Sequence, residues 1–155
     1  MLNRRTRYQG AIIKDHHILL IKLRVFPTGK IVWTFPGGGI EPNETEEECV
    51  RREMKEETNL EVRVISTLLD EPPENGEPQT YLRSRTYLCE CIGGEAKPGY
   101  DPEYSPEIEA AGLHGIIETH WFDLRSEADW DTDLVNDPII YKPLQQIRKK
   151  LGYLR

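Results

Sequence analysis

A chain of 155 residues, 37% hydrophobic and 30% charged, has the length and balance of a single globular domain over residues 1-155, and it holds no apolar run approaching the roughly 20 residues that cross a bilayer. Its formal net charge of −7 opposes a nucleic acid backbone, and its basic residues form no stripe that could grip one, so a nucleic acid polymer is not an expected partner. Three cysteines without a Cys-x-x-Cys pair, and an N-terminus lacking the apolar core of a signal peptide, argue against a disulfide framework and point to a soluble protein of a reducing cytoplasm.

The first elements are two strands, Tyr8 to Lys14 and His17 to Lys22, the second built on Ile18-Leu-Leu-Ile21, with the polar Lys14-Asp15-His16 turn making them a hairpin. Ile31 to Phe35 is a third strand, stopped by Pro36-Gly-Gly-Gly39, whose glycines permit a loop of specialised shape. From Thr45 until well past Asn59 there is neither Gly nor Pro, and the density of Glu, Arg, Lys and Met predicts the first helix. Leu60 to Leu69 alternates with the period of a strand, whereas Asp70 to Gln79, with Pro72, Pro73, Gly76 and Pro78, reads as a loop. Thr80 to Ile92 is a further strand in which Cys89 and Cys91 share one face as small packing residues. Gly93 to Gly112 is irregular, Ile116 to Leu124 is the last strand, and Pro138 to Leu151 carries Ile139, Ile140, Leu144, Ile147 and Leu151 at the spacing of an amphipathic closing helix. Strands dominate without regular alternation, which predicts a mixed sheet covered by helices.

The helix from Thr45 carries the chemistry. Thr45 and Glu48 have the spacing of a capping box, and Glu46 and Glu47 favour the positive end of the helix dipole. Further along, Glu53, Glu56 and Glu57 fall within one narrow sector, since residues three and four apart lie on one face, while Val50 and Met54 occupy an adjoining sector that can pack on the sheet and leave the acidic sector bordering solvent. Three like charges on one face repel, and two readings offset that repulsion. Either the face is simply solvated, with Arg52 four residues before Glu56 as a neighbour, or it holds a hard divalent cation that prefers oxygen ligands and keeps open positions for phosphate.

The residues before the helix favour the second reading. Gly38, Glu44, Arg52, Glu53, Met54, Glu56, Glu57 and Leu60 stand at the spacing of the Nudix signature, which is Gly, five residues, Glu, seven residues, Arg-Glu, an aliphatic, one residue, Glu-Glu, one residue, Gly and an aliphatic. If each fixed letter occurs about once in 15, the match is a coincidence on the order of 10⁻⁷ per starting position. The chain therefore resembles the Nudix hydrolase family, and departs from its signature only in placing Asn59 where the final Gly is expected. Asn is the usual substitute for Gly in the left-handed conformation past a helix end, so the cap survives the exchange.

The resemblance implies a fold of the α/β (α+β) class, a Nudix-type α/β/α sandwich whose mixed central sheet carries the signature loop and helix and a C-terminal helix. It implies divalent-metal-dependent hydrolysis of a phosphoanhydride bond in a nucleoside diphosphate linked to another group, such as a nucleoside triphosphate, a dinucleoside polyphosphate or a nucleotide sugar. Mg²⁺ or Mn²⁺ would be held by Glu53, Glu56, Glu57 and the Gly38 backbone, with Glu44 completing the loop and Arg52 orienting a carboxylate. The general base would come from Glu53, Glu107, Glu109 or Glu118, and among the last three Glu118 ranks first because a strand directs a side chain better than a proline-rich loop. Arg24 and Lys30 are candidates to meet substrate phosphates, and Phe35 and Tyr81, with Trp33 and Tyr87, to stack on a base; solvation and core packing are the ordinary alternatives. His16, His17, His114 and His120 lack metal-ligand spacing. A small nucleotide is the expected partner, with no membrane, and a homodimer stays open. Two competing functions remain: a catalytically silent nucleotide-binding module on the same scaffold, and an acidic helix that binds another protein.

Overall fold

In the computed structural model, which describes residues 6–25, 28–72, 82–99 and 115–155, the chain begins with a hairpin of β1 (Thr6–Lys14) and β2 (His17–Val25). Its two turn residues both take positive φ, 49° at Asp15 and 67° at His16. That is the backbone twist tight hairpins favour, usually supplied by Asn-Gly. Here the C-terminal tail holds the turn instead, through His16 Nδ1 at 2.8 Å from the Tyr153 hydroxyl and the edge-on packing of the two rings.

β3 (Lys30–Thr34) pairs antiparallel with β2, and β4 (Gly37–Gly38) pairs antiparallel with β1. After α1 (Glu46–Thr58) come β5 (Glu61–Glu71) and β6 (Arg83–Gly93), antiparallel to each other, with β6 parallel to β1. β7 (Gly115–Asp123) returns beside β2, and α2 (Thr132–Val135) and α3 (Pro138–Lys150) close the chain. The sheet runs β3-β2-β1-β6-β5, with β4 and β7 attached to β1 and β2. It is mixed, as the irregular alternation of elements predicts.

Both faces of the sheet are covered, which explains the unbroken run Ile18 to Ile21: strands covered on both sides need no polar alternation. Ile18 and Leu20 pack with Trp33, Phe122, Leu134, Leu144 and Ile147 under α3. Leu19 and Ile12 pack on the other face with Val50, Met54, Leu60 and Cys89 under α1. A Cβ on Gly10 would lie 2.5 Å from the Met54 sulfur, so the glycine lets α1 settle onto β1.

The structure departs from the sequence reading in four places. Asp70 and Glu71 belong to β5 rather than to a loop, because Asp70 accepts hydrogen bonds from Arg83 and Arg85 on β6. Gly37 and Gly38 form a short strand within the expected loop. The short α2 has an Asp131 cap but too few apolar residues to show a period. Ile139, placed on the buried stripe of the closing helix, is 47% exposed, and Arg148 is buried there instead. The readings at Tyr81, Glu107, Glu109 and His114 lie outside the described residues.

Candidate active site

The site is built from a turn, a helix and the contact between them. Pro42 and Asn43 form the centre of a tight turn in which Asn43 takes φ 66° and Glu44 N–H donates to the Glu41 carbonyl at 3.2 Å. Two residues later α1 starts on the predicted capping box, with Glu48 N–H donating to Thr45 Oγ1 and Thr45 N–H donating to Glu48 Oε1. The turn and the cap fix where Glu44 lies relative to the second turn of the helix.

Arg52 occupies the centre. Its guanidinium grips Glu44 with two bonds, Nε to Oε2 at 2.7 Å and Nη2 to Oε1 at 2.9 Å, the paired geometry in which Arg binds a carboxylate most strongly. Nη1 donates to Glu53 Oε1 at 2.9 Å and Glu56 Oε2 at 3.3 Å and lies 3.6 Å from Glu41 Oε1, while Nη2 also reaches the Gly39 carbonyl at 3.0 Å. Hydrogen bonding by Arg52 holds the Glu44 carboxyl below its usual range against the opposing effect of desolvation. The same bond raises the Arg52 guanidinium further above its ordinary value.

The glycine loop meets the helix directly. A Cβ at Gly38 would stand 2.5 Å from Glu53 Oε1, so only glycine leaves room for that carboxylate. Gly37 N–H donates to Glu57 Oε1 at 2.8 Å, tying β4 to the last turn of α1. Of the residues expected at the site, Glu44, Glu53 and Glu56 lie on the Arg52 guanidinium, Gly38 lies against Glu53, and Glu57 accepts from the neighbouring Gly37 amide. Glu41 and Gly37 also touch the cluster without having been singled out; the Pro42-Asn43 turn was the available signal for the first and the Pro36-Gly-Gly-Gly39 run for the second.

The acidic sector does not border solvent: Glu53 is 2% exposed and Glu57 is 1% exposed. Nor do the three carboxylates already converge, for among the described residues no group of three or more His, Cys, Asp or Glu is arranged to hold a metal ion. Glu53 and Glu56 turn to Arg52, and Glu57 to the Gly37 amide. The donor set nevertheless fits a hard cation, since four carboxylates share the Arg52 guanidinium and leave a surplus of negative charge in a partly buried cluster.

The other candidates lie elsewhere. Glu118 stands opposite Lys22 on β2. Alternation along the strands puts it on the face of Leu20 and Trp33, not the face of Leu19 that packs beneath α1. Strand geometry does fix its direction, but away from the Arg52 cluster. Arg24, opposite Ile31 and Gly115, shares that far face, and Lys30 is exposed where β3 begins, paired with Val25 at the end of β2. Phe35 is 2% exposed within the core under α3, so it offers no surface for stacking, and Trp33 is 4% exposed there with its Nε1 donating to Asp131. Tyr87 donates to Glu46 at the start of α1.

The family model of the NUDIX domain matches residues 4–141, and the chain belongs to the Nudix hydrolase family. It is 42% identical to the ADP-ribose pyrophosphatase of Methanocaldococcus jannaschii over 72% of its own length and 65% of that protein's. It is 30% identical to the NAD-capped RNA hydrolase NudC of Vibrio atlanticus over 77% of its own length and 37% of the relative's. The chain therefore spans less than two thirds of the length of either relative. The solved NUDIX hydrolase of Nitrosomonas europaea covers 99% of this chain and 97% of its own at a TM-score of 0.68 and 16% identity, a likeness of fold.

Proposed function

We propose that this domain hydrolyses the phosphoanhydride of a nucleoside diphosphate linked to another group, with ADP-ribose as the first substrate to test. The observation that carries this reading is the carboxylate cluster on α1, gathered by Arg52 against the Gly37 and Gly38 turn. Its support in choosing the substrate is the relative named for ADP-ribose at 42% identity.

A bound Mg²⁺ or Mn²⁺ would neutralise charge on the phosphate oxygens and raise the nucleophilicity of water. Glu53, Glu56 and Glu57, with the Gly38 backbone, are the residues that would hold it. The side chains divide the rest of the work. Arg52 keeps Glu53 and Glu56 at a fixed spacing while Glu44 fixes Arg52 from the other side, so the carboxylates are arranged before substrate arrives. The Gly37 amide holds Glu57 by one oxygen. Among the described candidates for the general base, Glu53 lies in the cluster and Glu118 on the opposite face, which favours Glu53.

The test is release of AMP from ADP-ribose, NAD, dinucleoside polyphosphates and nucleoside triphosphates, with Mg²⁺ and with chelator. We expect turnover of ADP-ribose that chelator abolishes. Absence of turnover of every substrate, alongside binding of one, would establish a silent nucleotide-binding module instead. An NAD-capped RNA belongs in the panel because of the second relative, although the net charge of −7 disfavours the polymer.

A further inference from the structure

The last turn of an α-helix leaves carbonyl groups without intrahelical partners, and an unanchored end frays. In α1 that turn carries Glu56 and Glu57. Its carbonyls are covered by the segment that follows β6. Gly99 N–H donates to the Glu57 carbonyl at 2.9 Å, and Lys97 N–H donates to the Thr58 carbonyl at 3.0 Å. The Asn59 side-chain amide donates to the Glu95 carbonyl at 3.0 Å. Both ends of the segment approach the helix so closely that glycine is required. A Cβ at Gly99 would stand 1.8 Å from the Glu56 carbonyl oxygen, and one at Gly94, where φ is +87°, would stand 2.5 Å from the Asn59 carbonyl oxygen.

Asn59 is the residue that departs from the family signature. It takes φ 66° and donates its backbone N–H to the Lys55 carbonyl at 3.1 Å, which glycine would do equally well. What glycine could not supply is the side-chain bond to Glu95. The exchange therefore keeps the cap and adds a tether.

We propose that the segment from Gly94 to Gly99 is a strap that sets the position of Glu56 and Glu57, and that Gly99 and Asn59 are positioning residues for the ion bound there. This rests on the metal-dependent reading above. The strap holds backbone to backbone, so a change at Gly99 shifts the carboxylates together and not one at a time. Asn59 ties the strap to the helix end at Glu95, near the start of the segment, while Gly99 ties its other end to Glu57.

The experiment is titration of the full chain with Mn²⁺ alone, followed by calorimetry, for wild type, Gly99→Ala and Asn59→Gly, with thermal midpoints and steady-state kinetics in parallel. Supporting residues around a metal typically change affinity by about 10-fold or more, and that loss is expected for Gly99→Ala. The loss of one hydrogen bond in Asn59→Gly should cost about 3-fold. At saturating metal both variants should keep the wild-type KM for substrate, which separates a displaced ion site from a damaged substrate site. Mn²⁺ affinity within about 2-fold of wild type in both folded variants, well below the effect of such supporting residues, would overturn the strap. If Gly99→Ala does not fold, Asn59→Gly decides alone. A wild type that binds no Mn²⁺ would instead overturn the metal reading, and the strap with it.

Discussion

Two arginines with ion-pair networks, Arg148 buried under α3 and Arg52 partly buried on α1, show how the same group serves opposite ends. Arg148 on α3 donates to Glu127 at 2.6 Å, to the Leu124 carbonyl at 2.8 Å and to Gln145, and its guanidinium lies 5.4 Å from the centre of the Trp130 ring. One carboxylate meets one cation, and the remaining donors are taken up by neutral partners. Arg52 on α1 faces four carboxylates. A balanced ion pair under a helix is a packing device; an unbalanced one is a place where charge is still wanted. The difference favours the α1 side for the proposed metal-assisted chemistry.

The comparison breaks if Arg148 matters to chemistry or Glu57 to stability. Arg148→Met should destabilise the fold by about 2 kcal/mol, because Glu127 loses its cation and the Leu124 carbonyl its donor while Tyr141 and Gln145 still donate to Glu127, and should leave Mn²⁺ affinity unchanged. Urea unfolding and metal titration together check it; weakened metal binding in a folded variant would join the two sides of the sheet. Glu57→Gln should do the reverse. A glutamine oxygen can still accept from Gly37 N–H, so stability is kept, while turnover should fall about 100-fold, or about 2.7 kcal/mol of transition-state stabilisation. Full activity in that variant would remove Glu57 from the site.

The α1 side was the legible one. Its information is local: the cap at Thr45, the i, i+3 and i+4 carboxylates and the glycine loop are all read within one stretch of chain. What escaped was set by tertiary contacts. That Glu53 and Glu57 are buried depends on how β4 closes over the helix, and nothing in the spacing of the glutamates says so. The apolar rule put Ile139 inside and said nothing of Arg148, because a long side chain pairs its head with Glu127 while its stem packs in the core. Glu118 was placed correctly on a strand, but its face depends on the pairing of Lys22 with it, a long-range register no local pattern contains.

The smaller effects sharpen the comparison by testing how α1 is seated. Thr45→Ala removes the oxygen that accepts from Glu48 N–H and should cost about 1 kcal/mol of stability, with metal affinity nearly intact because the Glu41–Glu44 turn and the paired Arg52 bonds still hold Glu44 in place. Smaller still is the link from α1 to β6. The Glu46 carboxyl is held below its usual 4.5 first by the Tyr87 hydroxyl and then by Arg85, against desolvation. A carboxyl depressed in the folded state contributes fully above its unfolded value and loses that contribution as pH falls through the folded one. Tyr87→Phe should therefore be less stable than wild type at neutral pH, by under about 1 kcal/mol at so exposed a pair, and the gap should close as pH falls below the ordinary carboxyl value of 4.5 and through the lowered folded one. A gap that persists unchanged at low pH would mean that Tyr87 seats the helix by ring packing beside Met54 and Val50, and that the hydroxyl contributes nothing to how the carboxylate helix is held.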